Sequence, residues 1–312
     1  MDNRHTVYVN GRFVPESEAH VSIFDSALVW GDMVFETTRS FVHKPFKLRD
    51  HLERLSASMV ATDIELDITI DELEAVTDEL VHRNARAYPP DVDFTITHNV
   101  SPGMWSWYSG DDATAGRPTV TIHTWSLVPY IGPMGESFET GVHAYVPRQR
   151  AIPGRLLDPK VKNRSRMHYR LAWNQTRHHD AAAWAVLLDE DGYLTEGTGS
   201  NFFIVRDGVL MTPEPRNILR GITRQTIMDL AGSMGIPVRE VNLEPYDLIV
   251  AQEAFFASTP FVIMPATRFN DKPVGDGDVG PITLRLLDAF SETVGVDIAA
   301  QAQVFGGQLG GS

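Results

Sequence analysis

The sequence contains no cysteine. That absence excludes disulfide staples, thiolate nucleophiles and Cys-ligated metals together. Basic residues are scarce as well: 27 Lys and Arg stand against 41 Asp and Glu, a formal net charge of −14. A field of that sign repels nucleic acid and anionic lipid, so neither is the expected partner. An anionic ligand would need a locally basic pocket. Long apolar runs are missing too. No stretch approaches the ~20 residues of a membrane span, and MDNRHTVYVNGRF leads into a strand pattern without a signal-peptide apolar core. The expected location is the cytoplasm. What is present suffices for a core, since 43% of the 312 residues are hydrophobic, and the length favours two domains.

Alternation over Thr6–Val14 around Asn10-Gly11 predicts a hairpin. A strand over Met33–Phe41 and a short return at Phe46–Leu48 follow. Leu52, Leu55, Met59 and Val60 carry helical spacing within Arg49–Ala61. Asp71–Ala87 reads as a second helix with Thr69 at its N-cap. Strands at Asp93–His98 and Thr119–Trp125 flank a loop, SPGMWSWYSGDDATAGRP, whose aromatics are expected to cover something. Val128–Glu136, with two prolines and two glycines, reads as a linker. The expected domains are therefore 1–127 and 137–312, joined by 128–136. In the second, strands are predicted at 141–147, 183–188, 200–205 and 237–241, with another at 254–257. Helices are predicted at 166–177, 223–234 and 281–293, with a short one inside 243–251. The Gly/Gln-rich tail reads as disordered.

The chemistry concentrates in Asp158–Phe203. A lysine there can form a Schiff base, and Glu196, followed by Gly197 and Gly199, presents a carboxylate on a tight turn. Both are groups that pyridoxal phosphate chemistry needs. The residues alone leave Lys160 and Lys162 open. Elsewhere, Arg54 reads as a surface cation with its stem on apolar neighbours, and Arg39, inside a strand, faces either a site or an ion-pair partner. His178-His179-Asp180 fits a solvated helix end better than a metal site. Gly197-Thr198-Gly199-Ser200 precedes a strand, whereas a dinucleotide fingerprint follows one. No Gly-x-Ser-x-Gly elbow is present.

Six segments in order resemble fold-type IV pyridoxal-phosphate enzymes, the class IV aminotransferase superfamily. VYVNGRFVPESEAHVSIFDSALVWGDMVFE resembles the opening segment, HLERLSAS the phosphate-arginine helix, and DPKVKNRSRMHY the lysine loop. LTEGTGSNFF resembles the glutamate motif, and LRGITRQT and ASTPFVIMP the two phosphate-binding turns. The superfamily includes branched-chain and D-amino acid aminotransferases, (R)-selective amine transaminases and aminodeoxychorismate lyases. The resemblance covers nearly the whole chain. It implies an α/β (α+β) two-domain fold, with a small N-terminal α/β domain and a larger C-terminal pseudo-barrel domain. It also implies pyridoxal 5'-phosphate as cofactor, no metal, and a homodimer with the site near the interface.

The resemblance further implies roles for individual residues. Lys162, which like the family's lysine follows a branched apolar residue and precedes a small polar one, would carry the Schiff base and move the proton. Glu196 would keep the pyridine nitrogen protonated, and Leu219 would pack on the ring. Amides of Ile222 and Thr223 at a helix N-terminus would hold the phosphate, with Ser258, Thr259 and Arg54. Phe35 and Trp30 would line an apolar pocket beside Trp105 and Trp107. Arg39, His98 or Arg148 would take the substrate carboxylate. The chain departs from its relatives at His98-Asn99-Val100-Ser101-Pro102, where many D-amino acid enzymes carry arginine, and it has no Tyr-x-Arg-Pro motif. Its lysine loop looks closest to the (R)-amine transaminases. The expected function is transfer of an amino group between an amino acid or (R)-type amine and a 2-oxo acid such as pyruvate. Branched-chain or D-amino acid transamination, lyase chemistry and a non-enzymatic cofactor-binding regulator are the alternatives.

Overall fold

The computed structural model describes residues 5–109 and 116–310. Part of the aromatic loop (110–115), residues 1–4 and the last two residues of the tail lie outside the described residues. Two compact units are present. One takes in the described residues up to Leu127 together with Val161–Ser165, and the other Val128–Lys160 and the chain from Arg166 onward.

The first unit is built on an antiparallel sheet. Its strands are β1 (Thr6–Val9), β2 (Arg12–Pro15), β3 (Val34–Phe41), β4 (Lys44–Pro45), β5 (Phe94–Ser101) and β6 (Thr119–Ser126), in the order β2-β1-β6-β5-β3-β4. The Asn10-Gly11 hairpin forms, both residues taking positive φ. The return after β3 is Lys44–Pro45, two residues earlier than expected, because the helix already begins at Leu48. Register places Glu36 opposite His98 and Phe35 opposite Asn99. Successive side chains alternate between faces, so Glu36 and His98 point one way, and Phe35, Arg39, Thr97 and Asn99 the other. Helices Leu48–Val60 and Ile70–Asn84 cover the Glu36 face, with Leu52, Leu55 and Leu80 fully buried beneath them. Thr69 caps the second of these in a reciprocal box with Glu72. The lysine-bearing segment joins this sheet. Phe35 N donates to Lys162 O at 2.9 Å and Arg164 N to Met33 O at 2.8 Å.

The second unit holds a nine-stranded mixed sheet. Its strands are β7 (Val142–Tyr145), β8 (Ala183–Leu188), β9 (Leu194–Gly197), β10 (Asn201–Arg206), β11 (Val209–Pro213), β12 (Val238–Val241), β13 (Glu253–Ser258), β14 (Val262–Phe269) and β15 (Lys272–Pro273). The order is β12-β11-β10-β13-β14-β7-β8-β9, with β15 on β14. β9 ends that path, yet it also lies against β10, with Gly197 N bonded to Ser200 O at 2.7 Å. The sheet therefore curls into a half-barrel around a core of Phe202, Phe203, Phe255 and Phe256.

Two expectations are corrected in this unit. The supposed linker is folded: Val128–Ile131 is helical, Gly132–Met134 forms a 3-10 turn, and both pack on a final helix, Ile298–Gly310. Gly132 fits there because a Cβ would stand 2.9 Å from the Phe305 backbone. The supposed disordered tail is that final helix. Ile298, Ala302 and Phe305 form its buried stripe, masked in sequence by the surrounding Gly and Gln.

Candidate active site

In the first unit, Lys162 Nζ stands 4.9 Å from the ring centroid of Phe35, which is 5% exposed. The backbone bonds to β3 fix that position, since Lys162 and Phe35 belong to adjacent extended segments. Ser58 Oγ also accepts from Lys162 N at 3.2 Å. Lys160 belongs to the other unit, where its ammonium meets Asp158 at 2.7 Å and the Arg216 carbonyl at 3.2 Å.

Beneath Phe35, on the opposite face, lies a buried charged group. Arg54 donates from Nε to Glu36 Oε1 at 2.6 Å and from Nη2 to Oε2 at 2.8 Å, and His51 Nδ1 lies 2.8 Å from the same carboxylate. Burial alone would raise the Glu36 pKa, but Arg54 and His51 outweigh it and hold the carboxyl well below its usual range. Arg54 is thus an oriented, half-buried cation and not a surface one. Its partner Glu36 and His51 were not singled out in sequence, although a Glu inside an apolar strand was the available signal.

His98 is corrected as a carboxylate candidate. It is fully buried on the helix-covered face, with Nε2 2.9 Å from Thr77 Oγ1, so a substrate on the Phe35 face cannot reach it. Arg39 shares Phe35's face but is 1% exposed. Its guanidinium lies over Phe41, and burial lowers its pKa to about 10 against the field of Asp93. It reads as a structural cation. Trp30 stacks on Trp105 with centroids 5.3 Å apart, and Trp107 meets Trp105 edge-on. The base of that loop is tied by Asp25, which accepts from Ser101 Oγ, Thr119 Oγ1 and Ala27 N. Gly103, at φ +85°, passes so close to the Arg117 carbonyl that no side chain fits. Arg164, unnoticed in the sequence, lays its guanidinium 3.7 Å from the Phe35 centroid and bonds to Asn99.

In the second unit, Glu196 closes β9 and is buried. It accepts from Tyr169 Oη at 2.7 Å, Leu219 N at 2.9 Å and Asn201 Nδ2 at 3.2 Å. Burial and the Glu196 charge push the Tyr169 pKa well above its ordinary value, so this hydroxyl is a fixed donor. Tyr169 and Asn201 were not anticipated, and neither has a local sequence signature. Asn201 also donates to Leu219 O at 2.8 Å. Its carboxamide lies where a Cβ on Gly221 would be, so only glycine fits at the N-cap of helix Ile222–Ser233. No side chain among the described residues caps that helix, which leaves the Ile222 and Thr223 end for an anion. Ser258 ends β13 with its hydroxyl buried and without a hydrogen-bond partner among the described residues, and the half-buried Thr259 follows. An orphaned hydroxyl and an uncapped 12-residue helix in one unit suit a phosphate group. Arg148 is exposed in this unit, and His179 stacks on Tyr145 and reaches Asp271.

A lysine over an aromatic wall in one unit, and in the other a buried carboxylate with hydrogen-bond donors and an anion cradle, are groups that pyridoxal-phosphate chemistry uses. The sequence profile of the amino-transferase class IV family matches residues 33–269. This chain belongs to the class IV aminotransferases. It is 32% identical over 292 residues to the branched-chain-amino-acid aminotransferase of Escherichia coli (strain K12), covering 91% of each chain. It is 32% identical over 300 residues to the D-alanine aminotransferase of Listeria innocua serovar 6a, covering 92% of this chain and 96% of that one. Among solved structures, the branched-chain aminotransferase from the thermophilic archaeon Thermoproteus uzoniensis with norvaline superposes at a TM-score of 0.80. It shares 29% identity and covers 96% of this chain and 97% of that one. A branched-chain amino acid aminotransferase crystallised with pyridoxamine 5'-phosphate superposes at 0.84, with 29% identity over 93% of this chain and 94% of that one. The two-sheet α/β architecture with its half-barrel is that of fold-type IV aminotransferases, and this class IV aminotransferase is a pyridoxal-phosphate-dependent transaminase.

Proposed function

We propose that this aminotransferase moves the amino group between an α-amino acid with an apolar side chain and a 2-oxo acid such as pyruvate. The observation that carries the reading is Lys162 Nζ poised over the Phe35 ring, a base beside an apolar wall. The relatives named for branched-chain amino acids and for D-alanine support it.

Bound pyridoxal 5'-phosphate supplies the electron sink that makes the substrate's α-proton labile. Lys162 Nζ would be the base that takes that proton and the acid that returns one. Glu196, fixed by Tyr169, Asn201 and the Leu219 amide, would keep the pyridine nitrogen protonated, and Leu219 would pack on the ring. Ile222 and Thr223 amides, Ser258 and Thr259 would hold the phosphate, and Arg54 would supply a charge-assisted bond to it. Glu36 and His51 aim Arg54 from behind. Phe35, Trp30 and the Trp105–Trp107 pair would form an apolar wall for the substrate side chain.

The protein acts in the cytoplasm as a homodimer in this reading. None of the helices of the described residues is long and apolar enough to cross a membrane. Exposed Ile23, Phe24 and Leu28 form an apolar run suited to a second copy. The test is turnover of the loaded enzyme with pyruvate or 2-oxoglutarate against L-leucine, D-alanine and both enantiomers of 1-phenylethylamine. Conversion of an amino acid is expected. Turnover of (R)-1-phenylethylamine alone would replace this reading with amine transamination, and pyruvate release from an amino-chorismate without an acceptor would indicate a lyase.

A further inference from the structure

The carboxylate ligand is the part of substrate recognition that Arg39 and His98 cannot fill. We propose that Arg164 binds the α-carboxylate of the amino-acid and 2-oxo-acid substrates, with Asn99 as its positioning residue. The assignment rests on the amino-acid transaminase reading above.

Alternation carries Arg164 to the same side of its segment as Lys162, two residues earlier. The backbone locks that register through Phe35 N to Lys162 O and Arg164 N to Met33 O. Both side chains consequently meet one ring. Lys162 Nζ is 4.9 Å and the Arg164 guanidinium carbon 3.7 Å from the Phe35 centroid, so the two cations are separated by no more than the sum of those distances. In every substrate of this reaction the carboxylate is bonded directly to the carbon that exchanges a proton with the lysine. A cation across one ring from Lys162 Nζ is where that carboxylate has to be met.

The guanidinium is also presented in a fixed attitude. Nε and Nη2 donate to the neutral Oδ1 of Asn99 at 3.2 and 2.9 Å, and the flat group stacks on Phe35. Stacking and a fixed fork suit bidentate recognition of a planar carboxylate. Arg164 is exposed, whereas Arg39 on the same face is 1% exposed. His123, from β6 on this face, is kept neutral by burial and by the charge of Arg164, so it adds no competing cation.

The test is calorimetric binding of 4-methylpentanoate and of its uncharged amide to the pyridoxal-phosphate-loaded protein. Wild type, Arg164→Gln, Arg164→Lys and Asn99→Ala are compared. Arg164→Gln should weaken acid binding by roughly 10–100-fold and leave amide binding unchanged. Arg164→Lys should recover part of the loss. Asn99→Ala should raise KM for the 2-oxo acid more than it lowers kcat. Acid binding as tight in Arg164→Gln as in wild type overturns the assignment, as does equal loss for acid and amide. Wild type that converts no α-amino acid sinks the underlying reading instead, and the two failures are separate.

Discussion

Replacing His98 by leucine distinguishes a structural histidine from a substrate ligand. Thr77 Oγ1 gives its own hydrogen to Leu73 O at 2.7 Å, so the 2.9 Å contact must be His98 Nε2–H donating to the hydroxyl. The second nitrogen, Nδ1, is buried without a partner among the described residues. A proton added there would be an unpaired buried charge. Burial accordingly lowers the His98 pKa to about 3, against the opposing pull of Glu36 on β3 and with the help of His51 on the first helix and His123 on β6. The folded pKa lies below the unfolded value, so the unfolded chain binds the extra proton first. Stability attached to His98 is present above the ordinary pKa of 6.5 and is lost progressively as pH falls from there toward about 3. Between pH 7 and pH 5 that loss is about 2 kcal/mol.

Leucine cannot titrate. At pH 7 His98→Leu should cost about 1 kcal/mol, the lost hydrogen bond to Thr77. At pH 5 the deficit should vanish or reverse. Glu36 stays ionised across the window because its pKa is depressed. His51, whose pKa burial also lowers, titrates in both proteins and cancels on subtraction. Urea unfolding of both proteins at several pH values, at one protein concentration and saturating cofactor, gives the difference directly. A stability gap that is the same at pH 7 and pH 5 refutes the argument. So does a His98→Leu enzyme whose KM for the 2-oxo acid rises as a lost carboxylate ligand would make it.

Other outcomes follow from the same geometry. Glu36→Gln leaves Arg54 facing a neutral partner and should destabilise the fold by ~3 kcal/mol; it should also weaken cofactor binding, read by titrating the apoprotein. Glu196→Gln should lower kcat by roughly 10²–10³-fold, whereas Tyr169→Phe, which removes one of the donors to that carboxylate, should lower it far less. Ser258→Ala should reduce affinity for pyridoxal 5'-phosphate by several-fold and that for free pyridoxal hardly at all. Lys162→Ala should abolish turnover and the long-wavelength absorption of the loaded enzyme, while Lys160→Ala, whose amine sits with Asp158 and the Arg216 carbonyl, should retain both.

Legibility in the sequence followed locality. The Asn10-Gly11 hairpin and the Thr69 capping box are decided within four residues, and both were readable. The final helix was hidden because its buried stripe of Ile298, Ala302 and Phe305 is diluted by Gly and Gln. Strand β14 was missed because Val262–Phe269 carries an internal proline and is buried almost throughout, so it lacks alternation. His98 looked like a ligand because it stands where many related D-amino acid enzymes carry arginine. Which face it takes is set by its pairing with Glu36, about sixty residues upstream. Arg164 escaped notice for the same reason. Its meaning comes from Phe35 and Asn99, which reach it only through the β3 register.

A glutamate alone does not make an electron-sink anchor either. A carboxylate buried at the end of β9 would tend to take up a proton unless donors compensate it. Tyr169, Asn201 and the Leu219 amide are among its donors here, and each is fixed by something else. The Leu219 amide belongs to the turn before helix Ile222–Ser233, and Asn201 is clamped at the other end by Leu219 O. Tyr169 cannot reverse its role, because its raised pKa keeps the proton on oxygen. None of these three brings a positive charge, so they donate to the oxygens without neutralising the anion. A carboxylate supported in this way can still hold a proton on a pyridine nitrogen. An arginine in place of any one of them would compete for that charge.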